Sequence, residues 1–226
     1  MMKFEIFGDI AQNARFELSR GQTLWVSRGS LMAFSPNVSW NLRVPGGVTG
    51  AFRRSLSGEG IALVFVESQA DEQSLILAAN QPGHITTWDL EDGPVITTRG
   101  SFMAAWGDIE IDVTIARRTG AAFFGGAGLF LQKVSGVGRV LVHGSGDLYE
   151  KRLQDGEQIL VSTGNLAAFA ERVDYDIQGV GGCRKIFFGH EGLFMTRLTG
   201  PGRVLLQTLK RRHGRSGSGS GLPNTG

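Results

Sequence analysis

One cassette occurs three times in this sequence, and the repeat is the feature that most constrains the fold. It reads LSRGQTLWVSRGSL at Leu18–Leu31 and LQDGEQILVSTGNL at Leu153–Leu166, with Leu, Gly, Val, Ser, Gly and Leu at identical offsets. A copy that is one residue shorter, LEDGPVITTRGSF, lies at Leu90–Phe102. Each copy has a turn at its first glycine, a short apolar segment and a second turn at its next glycine. The pattern predicts turns and strands repeated three times along one chain.

Short apolar runs bounded by Gly, Asp, Asn or Ser recur along the chain and predict β-strands. The predicted strands include Thr23–Val26, Ile61–Val66, Leu75–Ala78, Ile109–Ile115, Val140–Val142, Ile159–Val161, Asp174–Ile177 and Val204–Gln207. The 34 glycines against 6 prolines indicate many tight turns. We therefore predict an all-β protein of three tandem β-sandwich, or double-stranded β-helix-like, repeats in a pseudo-threefold arrangement.

The repeat continues beyond the cassette. FLQKVSGVGRVLV at Phe130–Val142 aligns with FMTRLTGPGRVLL at Phe194–Leu206, and we expect a hairpin at the Gly-x-Gly of each. The first copy has a larger hairpin at Ser68–Ser74. We expect a single compact domain over residues 1–209, with copies at about 18–89, 90–152 and 153–209. Three separate lobes are the alternative, which the short joins between copies disfavour.

These motifs resemble a known family. The G-x-G-[LI] turns, the F-x-x-[KR]-[LV]-[ST]-G-x-G-R-V segment and the D-G-x-x-[IL]-x-[VT] cassette are similar to those of the family named for altered inheritance of mitochondria in yeast, which has bacterial relatives of unknown function. The resemblance covers about residues 1–209. It implies a β-sandwich fold related to that of the tryptophan RNA-binding attenuation protein, and assembly into symmetric rings or trimers. It supplies no catalytic residues.

The C-terminal segment differs from the rest in composition. Residues 210–215 form a basic tail, and residues 216–226 read as a flexible Ser-Gly linker followed by LPNTG, a sortase-type tag that we expect to be engineered. Four of the 23 Lys and Arg lie in the tail, so residues 1–209 carry 19 basic against 21 acidic side chains, a net charge of −2. This mildly acidic balance argues against a general nucleic-acid-binding face.

Several features predict a cytoplasmic protein. The N-terminus MMKFEIFGD has acids where a signal peptide needs an apolar segment. The longest apolar stretch, Ala121–Leu131, is interrupted by glycines and is far shorter than the roughly 20 residues of a membrane span. The single cysteine, Cys183, suits a reducing compartment. We expect it to be a buried small side chain; a reactive thiol favoured by Arg184 and Lys185 is the alternative.

The sequence shows no pattern typical of catalysis or metal binding. The four histidines, His84, His143, His190 and His213, have neither His-x-His nor His-x-x-x-His spacing. The glycine motifs lack the spacing of a phosphate-binding loop. We therefore predict no enzyme activity, no cofactor and no metal.

The leading hypothesis is a non-enzymatic, homo-oligomeric scaffold or assembly protein, a trimer or larger ring, because repeated β-units leave strand edges that association covers. The alternative is a binding module for RNA or another anionic ligand, since aromatic side chains beside cations are typical of single-strand recognition. The candidate ligand or interface residues are Phe52, Arg53, Arg54, Arg117, Arg118, Phe123, Phe124, Arg184, Lys185, Phe187 and Phe188.

The cassette itself does not repeat its chemistry. Arg28 and Arg99 share a position that is Thr163 in the third copy. We therefore interpret the cassette as a hinge between units, and expect function where the copies differ.

Overall fold

A computed structural model of the chain describes residues 2–45, 62–116, 129–179 and 194–211. Within these ranges the chain forms β-strands and two 3₁₀ turns, Leu90–Asp92 and Thr163–Asn165, and no α-helix. The all-β prediction is confirmed. None of these residues belongs to a helix long and apolar enough to cross a membrane.

The strands fall into three groups along the chain. The first group is β1 Lys3–Phe7, β2 Asn13–Leu18, β3 Thr23–Val26, β4 Leu31–Phe34, β5 Val38–Arg43, β6 Leu63–Ser68 and β7 Gln73–Ala78. The second group is β8 Gly83–Asp89, β9 Val95–Thr98, β10 Phe102–Ala116 and β11 Leu129–Ser145. The third group is β12 Leu148–Leu153, β13 Gln158–Ser162, β14 Leu166–Ala170, β15 Asp174–Gly179, β16 Phe194–Thr199 and β17 Gly202–Gln207.

The same antiparallel pairings recur in each group. The strand before the cassette pairs with the last strand of its own group, as in β2–β7, β8–β11 and β12–β17. The first cassette strand pairs with the segment that precedes this last partner in the chain. That segment is β6 in the first group, the earlier part of β11 in the second and β16 in the third. Strand pairing therefore groups β8 with the second copy, so a copy defined by pairing starts a few residues before its cassette. The pseudo-threefold arrangement and the domain bounds stay predictions.

A register shift also recurs at one place in each copy. It lies between Leu31 and Ala33 in β4, Phe102 and Ala104 in β10, and Leu166 and Ala168 in β14. Such a bulge bends a strand and increases its twist. The equivalent strand is therefore bent in the same way in every copy.

Successive copies are joined by strand pairing. In the first junction β3 pairs with β10, with Trp25 opposite Ala105 and Val26 opposite Ala104. In the second, β9 pairs with β14 in the equivalent register, with Ile96 opposite Phe169. The result is a ten-stranded sheet through all three copies, flanked by the sheets β1-β2-β7-β4 and β13-β16-β15.

Three apolar clusters form the core. The first contains Phe16, Leu75 and Val66, the second Trp88 and Phe102, and the third Phe169 and Leu198. Each cluster combines residues of one copy with residues of a neighbouring copy. The junctions between copies are thus buried core rather than flexible joins.

The aromatic side chains of the first cluster show why this junction is tight. Trp106 of the second copy packs edge-on against Phe4 and Phe16 of the first, with ring centroids 5.1 Å and 5.3 Å apart. Each such aromatic pair contributes about 0.5–1.5 kcal/mol beyond burial.

The hairpins predicted at Ser68–Ser74, Ser135–Gly138 and Thr199–Gly202 are wrong. No pairing joins β6 to β7 or β16 to β17, and β11 runs without interruption through its Gly-x-Gly. In the first and third copies this segment carries the chain from one sheet to another, whereas in the second copy it lies within β11 of the ten-stranded sheet.

Glycine is needed in the Gly-x-Gly segment of the second copy because two backbones approach closely there. Gly138 lies opposite Gly107. A Cβ at Gly138 would collide with the carbonyl oxygen of Trp106 and would lie 2.9 Å from Cγ2 of Ile109. The close approach lets the pairing of β10 with β11 continue through the Gly-x-Gly segment.

We expect Gly138→Ala to lower the free energy of unfolding by about 1–3 kcal/mol, the usual cost of overpacking. Urea denaturation followed by circular dichroism measures this. Gly156→Ala is the control, since a Cβ there meets nothing within 4 Å, although its φ of +70° costs about 1 kcal/mol. A Gly138→Ala protein as stable as the unsubstituted protein would contradict the close approach of the two backbones at Gly138.

Candidate functional site

The residues proposed from the sequence as ligand or interface residues lie outside the described ranges. These are Phe52, Arg53, Arg54, Arg117, Arg118, Phe123, Phe124, Arg184, Lys185, Phe187 and Phe188, together with Cys183, His190 and His213. Their proposed roles stay predictions.

The structure brings together the second turns of the three cassettes. Because β3 pairs antiparallel with β10, the turn after β3 lies beside the turn before β10, and the Ser27 N–H donates to the Met103 carbonyl over 2.9 Å. Because β9 pairs in the same way with β14, the Thr98 hydroxyl donates to the Leu166 carbonyl over 2.8 Å. The turns at Gly29, Gly100 and Gly164 therefore follow one another along one end of the ten-stranded sheet.

Arg211 joins this row of turns from the C-terminal end of the described chain. Its backbone N–H donates to the carbonyl of Gly164 over 3.0 Å. Its Nε donates to Oε1 of Gln207 over 3.0 Å, and its Nη2 donates to Nδ1 and to the carbonyl oxygen of His143 over 2.7 Å and 2.9 Å. All four acceptors are neutral. Burial lowers the pKa of Arg211 to about 10, so the guanidinium stays protonated at neutral pH.

His143 lies on β11 beneath this guanidinium and is 2 % exposed. Since arginine has only donors, Nδ1 accepts and the proton of the neutral ring is on Nε2, which has no hydrogen-bond partner among the described residues. Burial, and then the positive charge of Arg211, lower the pKa of His143 to about 4. The imidazole is therefore neutral at pH 7.

These groups line a cleft of about 350 Å³. Its described walls contain three arginines, one neutral histidine and several small polar side chains, and no acidic residue. The lining residues are Ser27, Arg28, Ser30, Ala79, Asn80, Gln81, Arg99, Gly100, His143 and Arg211. The cleft is therefore cationic at neutral pH, in a chain whose residues 1–209 are net acidic.

The described residues contain no group of three or more His, Cys, Asp or Glu side chains placed to hold a metal ion. His84 lies 3.2 Å from a carboxylate oxygen of Asp147 and 3.1 Å from the carbonyl oxygen of Gly146. His143 contacts Arg211 instead. Two of the four histidines thus have partners that account for their positions.

A second feature is a pair of open sheet edges. In the described chain β4 pairs only with β7, and β13 pairs only with β16. Within the repeat, β4 is equivalent to β10 and β14, and β13 is equivalent to β3 and β9. At the two internal junctions β3 pairs with β10, and β9 pairs with β14. The first copy thus lacks a preceding cassette strand, and the third copy lacks a following acceptor strand.

The side chains at these two edges are apolar and exposed. Phe34 of β4 is 42 % exposed, whereas its equivalents Ala105 and Phe169 are fully buried. Met32 is 66 % exposed and its equivalent Met103 is buried. On β13, Leu160 is 60 % exposed. Each terminal edge therefore presents the surface that is covered at the internal junctions.

The fold and the cleft define a class: an all-β protein whose antiparallel strands form one ten-stranded sheet and two smaller sheets, with a cationic cleft beside the turns of the cassettes. Residues 4–209 match the family model described as mitochondrial biogenesis AIM24, and the chain belongs to this family. The resemblance inferred from the sequence is therefore confirmed. The likeness to the tryptophan RNA-binding attenuation protein stays a prediction.

Two relatives support this placement. An uncharacterized protein of Streptococcus pyogenes serotype M6 is 28% identical over 201 residues, which cover 85% of this chain and 79% of that protein. A Streptococcus pyogenes protein of known crystal structure is 26% identical, with a TM-score of 0.76 over 93% of this chain and 94% of that one. The family is one of unknown function, and neither relative carries an assigned activity.

Sequence reasoning missed the cleft, because it interpreted the cassette as a hinge and expected function where the copies differ. The shared position of Arg28 and Arg99 is nevertheless a usable signal, because antiparallel pairing of successive cassettes brings equivalent turns together. Arg211 was assigned to a basic tail, and nothing local in the sequence distinguishes it from Lys210 or Arg212.

We expect the stability of the protein to fall between pH 6.5 and pH 4 because of His143. A histidine in the unfolded chain binds a proton near pH 6.5, whereas folded His143, facing Arg211 and near His84, does so only near pH 4. Above pH 6.5 this difference in pKa does not change the free energy of unfolding. Near pH 4 it lowers the free energy of unfolding by an amount on the order of 3 kcal/mol.

Urea unfolding of the unsubstituted protein and of His143→Gln at pH 7.5 and at the acidic end of this window measures this loss, since glutamine keeps an acceptor for Arg211. Acidification should lower the free energy of unfolding of the unsubstituted protein more than that of His143→Gln. A pH-independent difference for His143→Gln would contradict the assignment.

Proposed function

We propose that this protein is a non-enzymatic assembly protein whose copies associate head to tail, with β4 of one copy pairing with β13 of the next. The observation that carries the proposal is the pair of open, apolar edges, which correspond in position to the strands that join the copies within the chain. Absence of catalysis and a cytoplasmic site of action are parts of the proposal that rest on the sequence.

The register of the internal junctions predicts the register between copies. Val26 faces Ala104, and Thr97 faces Ala168. The equivalent pair across the new junction is Val161 opposite Ala33 of the next copy. Leu160 then faces Phe34, as Ile96 faces Phe169 within the chain.

Such pairing covers both the unpaired strand edges and the exposed apolar side chains of the isolated chain. Exposed strand edges are sites of uncontrolled association. Pairing satisfies the edge backbone groups of both strands and buries the apolar side chains that lie along them. Because the two edges differ, the contact is heterologous, and repeated association gives a closed ring or an extended fibre.

The RNA-binding alternative stays a prediction, because its aromatic and basic residues lie outside the described ranges. No further observation on the described surface favours a nucleic-acid strand.

We expect light scattering of the purified protein at micromolar concentration to give a mass of several chains. Phe34→Lys and Leu160→Lys should each reduce that mass toward one chain, since a charge on an edge strand disfavours pairing. Val137→Lys is the matched control, because Val137 is 65 % exposed but lies on β11 opposite Asp108 of β10, away from both open edges. A monomeric unsubstituted protein would overturn the proposal.

A mixing experiment tests the head-to-tail geometry. The Phe34→Lys protein keeps an intact β13 edge, and the Leu160→Lys protein keeps an intact β4 edge. An equimolar mixture of the two monomers should therefore form a heterodimer and nothing larger. No association on mixing, with an oligomeric unsubstituted protein, would show that copies meet through a different surface.

A further inference from the structure

We propose that the cleft between the cassette turns binds a small phosphate-type oxyanion, either inorganic phosphate or the phosphate group of a small monoester, through Arg28, Arg99 and Arg211. This inference is independent of the assembly proposal, because the cleft lies within one chain and contains no residue of β4 or β13.

The charge of the cleft is the first argument. Arg28, Arg99 and Arg211 all line this cleft, and its described walls contain no acidic residue. Three cationic side chains around one space give it a positive potential, which attracts a dianion. Arginine suits this role because its planar fork donates paired hydrogen bonds to phosphate oxygens.

The placement of Arg211 is the second argument. Three neutral acceptors, Oε1 of Gln207 and the ring nitrogen and carbonyl oxygen of His143, orient its guanidinium without neutralising it. The Nη1 end lies against Gly100, where any Cβ would collide with it. A partly buried cation held by dipoles alone costs desolvation energy, and the cost is offset when an anion binds beside it.

The uncharged polar residues of the cleft and its volume indicate which kind of anion it fits. Ser27, Ser30, Asn80 and Gln81 add hydroxyl and amide groups that bind phosphate oxygens or ligand hydroxyls. A volume of about 350 Å³ is at the lower end of small-molecule sites, which span roughly 300–1,000 Å³. Nucleic-acid strands need a groove that tracks several nucleotides, and this cleft is compact.

Isothermal titration calorimetry of the full chain in a low-salt buffer without competing oxyanions tests the proposal. The probes are inorganic phosphate, glycerol phosphate as a simple monoester, and chloride at matched ionic strength. We expect saturable binding of one phosphate probe per chain, with the monoester favoured if the ligand carries further groups and inorganic phosphate favoured if it does not. Chloride should produce no saturable heat.

Substitutions at the rim identify the site. Arg28 and Arg99 are exposed, so Arg28→Gln and Arg99→Gln should fold normally, as circular dichroism verifies. Each should weaken phosphate binding by about tenfold or more, the usual effect of losing a charge-assisted hydrogen bond. Arg15→Gln, an exposed arginine on β2, is the matched control and should bind as the unsubstituted protein does.

Several results would overturn the inference: no saturable binding of either phosphate probe, unchanged affinity in the Arg28→Gln, Arg99→Gln double variant, or equal binding in chloride. Tighter, salt-sensitive binding of single-stranded RNA without a terminal phosphate would also overturn it, in favour of a nucleic-acid site. Light scattering on the same variants should show the mass of the unsubstituted protein, which separates loss of the anion from loss of assembly.

Discussion

Strand pairing between successive copies is the constraint on which this structure depends. Each junction uses only two or three residue pairs, yet it joins the strands of the three groups into one ten-stranded sheet. The acceptor strands carry small residues at the contact, Ala104 and Ala168, which are completely buried. The bulge beside each alanine bends the acceptor strand, and the neighbouring side chains then contribute to different cores: Met103 to the first and Ala105 to the second.

The cationic cleft is a consequence of the same pairing. An antiparallel partner places the end of one cassette strand beside the start of the next copy's acceptor strand, so the turns at Arg28 and Arg99 become neighbours. The third cassette has Thr163 where the first two have arginine, and the sequence alone therefore suggests that the pattern ends there. Arg211 supplies a cation at the third turn, held by the Gly164 carbonyl. The positive charge recurs at all three turns although the residue position does not.

The contrast between Thr163 in the third cassette and the cation that Arg211 supplies there shows what the sequence could and could not predict. Local alternation and turn residues were enough to place strands such as β3, β13 and β17, and the repeat was enough to identify the family. The Gly-x-Gly segments were misread as hairpins because a tight turn and a close approach of two backbones both require glycine. Only the pairing of Gly138 with Gly107 distinguishes them. Long-range placement of Arg211, 68 residues from His143 along the chain, had no local signal.

Partial burial of Arg211 beside a neutral histidine is unfavourable for stability alone. A carboxylate at position 143 or 207 would pair with Arg211 and recover part of the desolvation cost, whereas the observed acceptors, His143 and Gln207, leave the charge uncompensated. The same arrangement depresses the pKa of His143, so acid weakens the fold at this point. Features that cost stability and repeat a charge across three turns are typical of functional sites. The desolvation cost of Arg211 therefore favours a bound anion over a purely structural role for the arginines of the cleft.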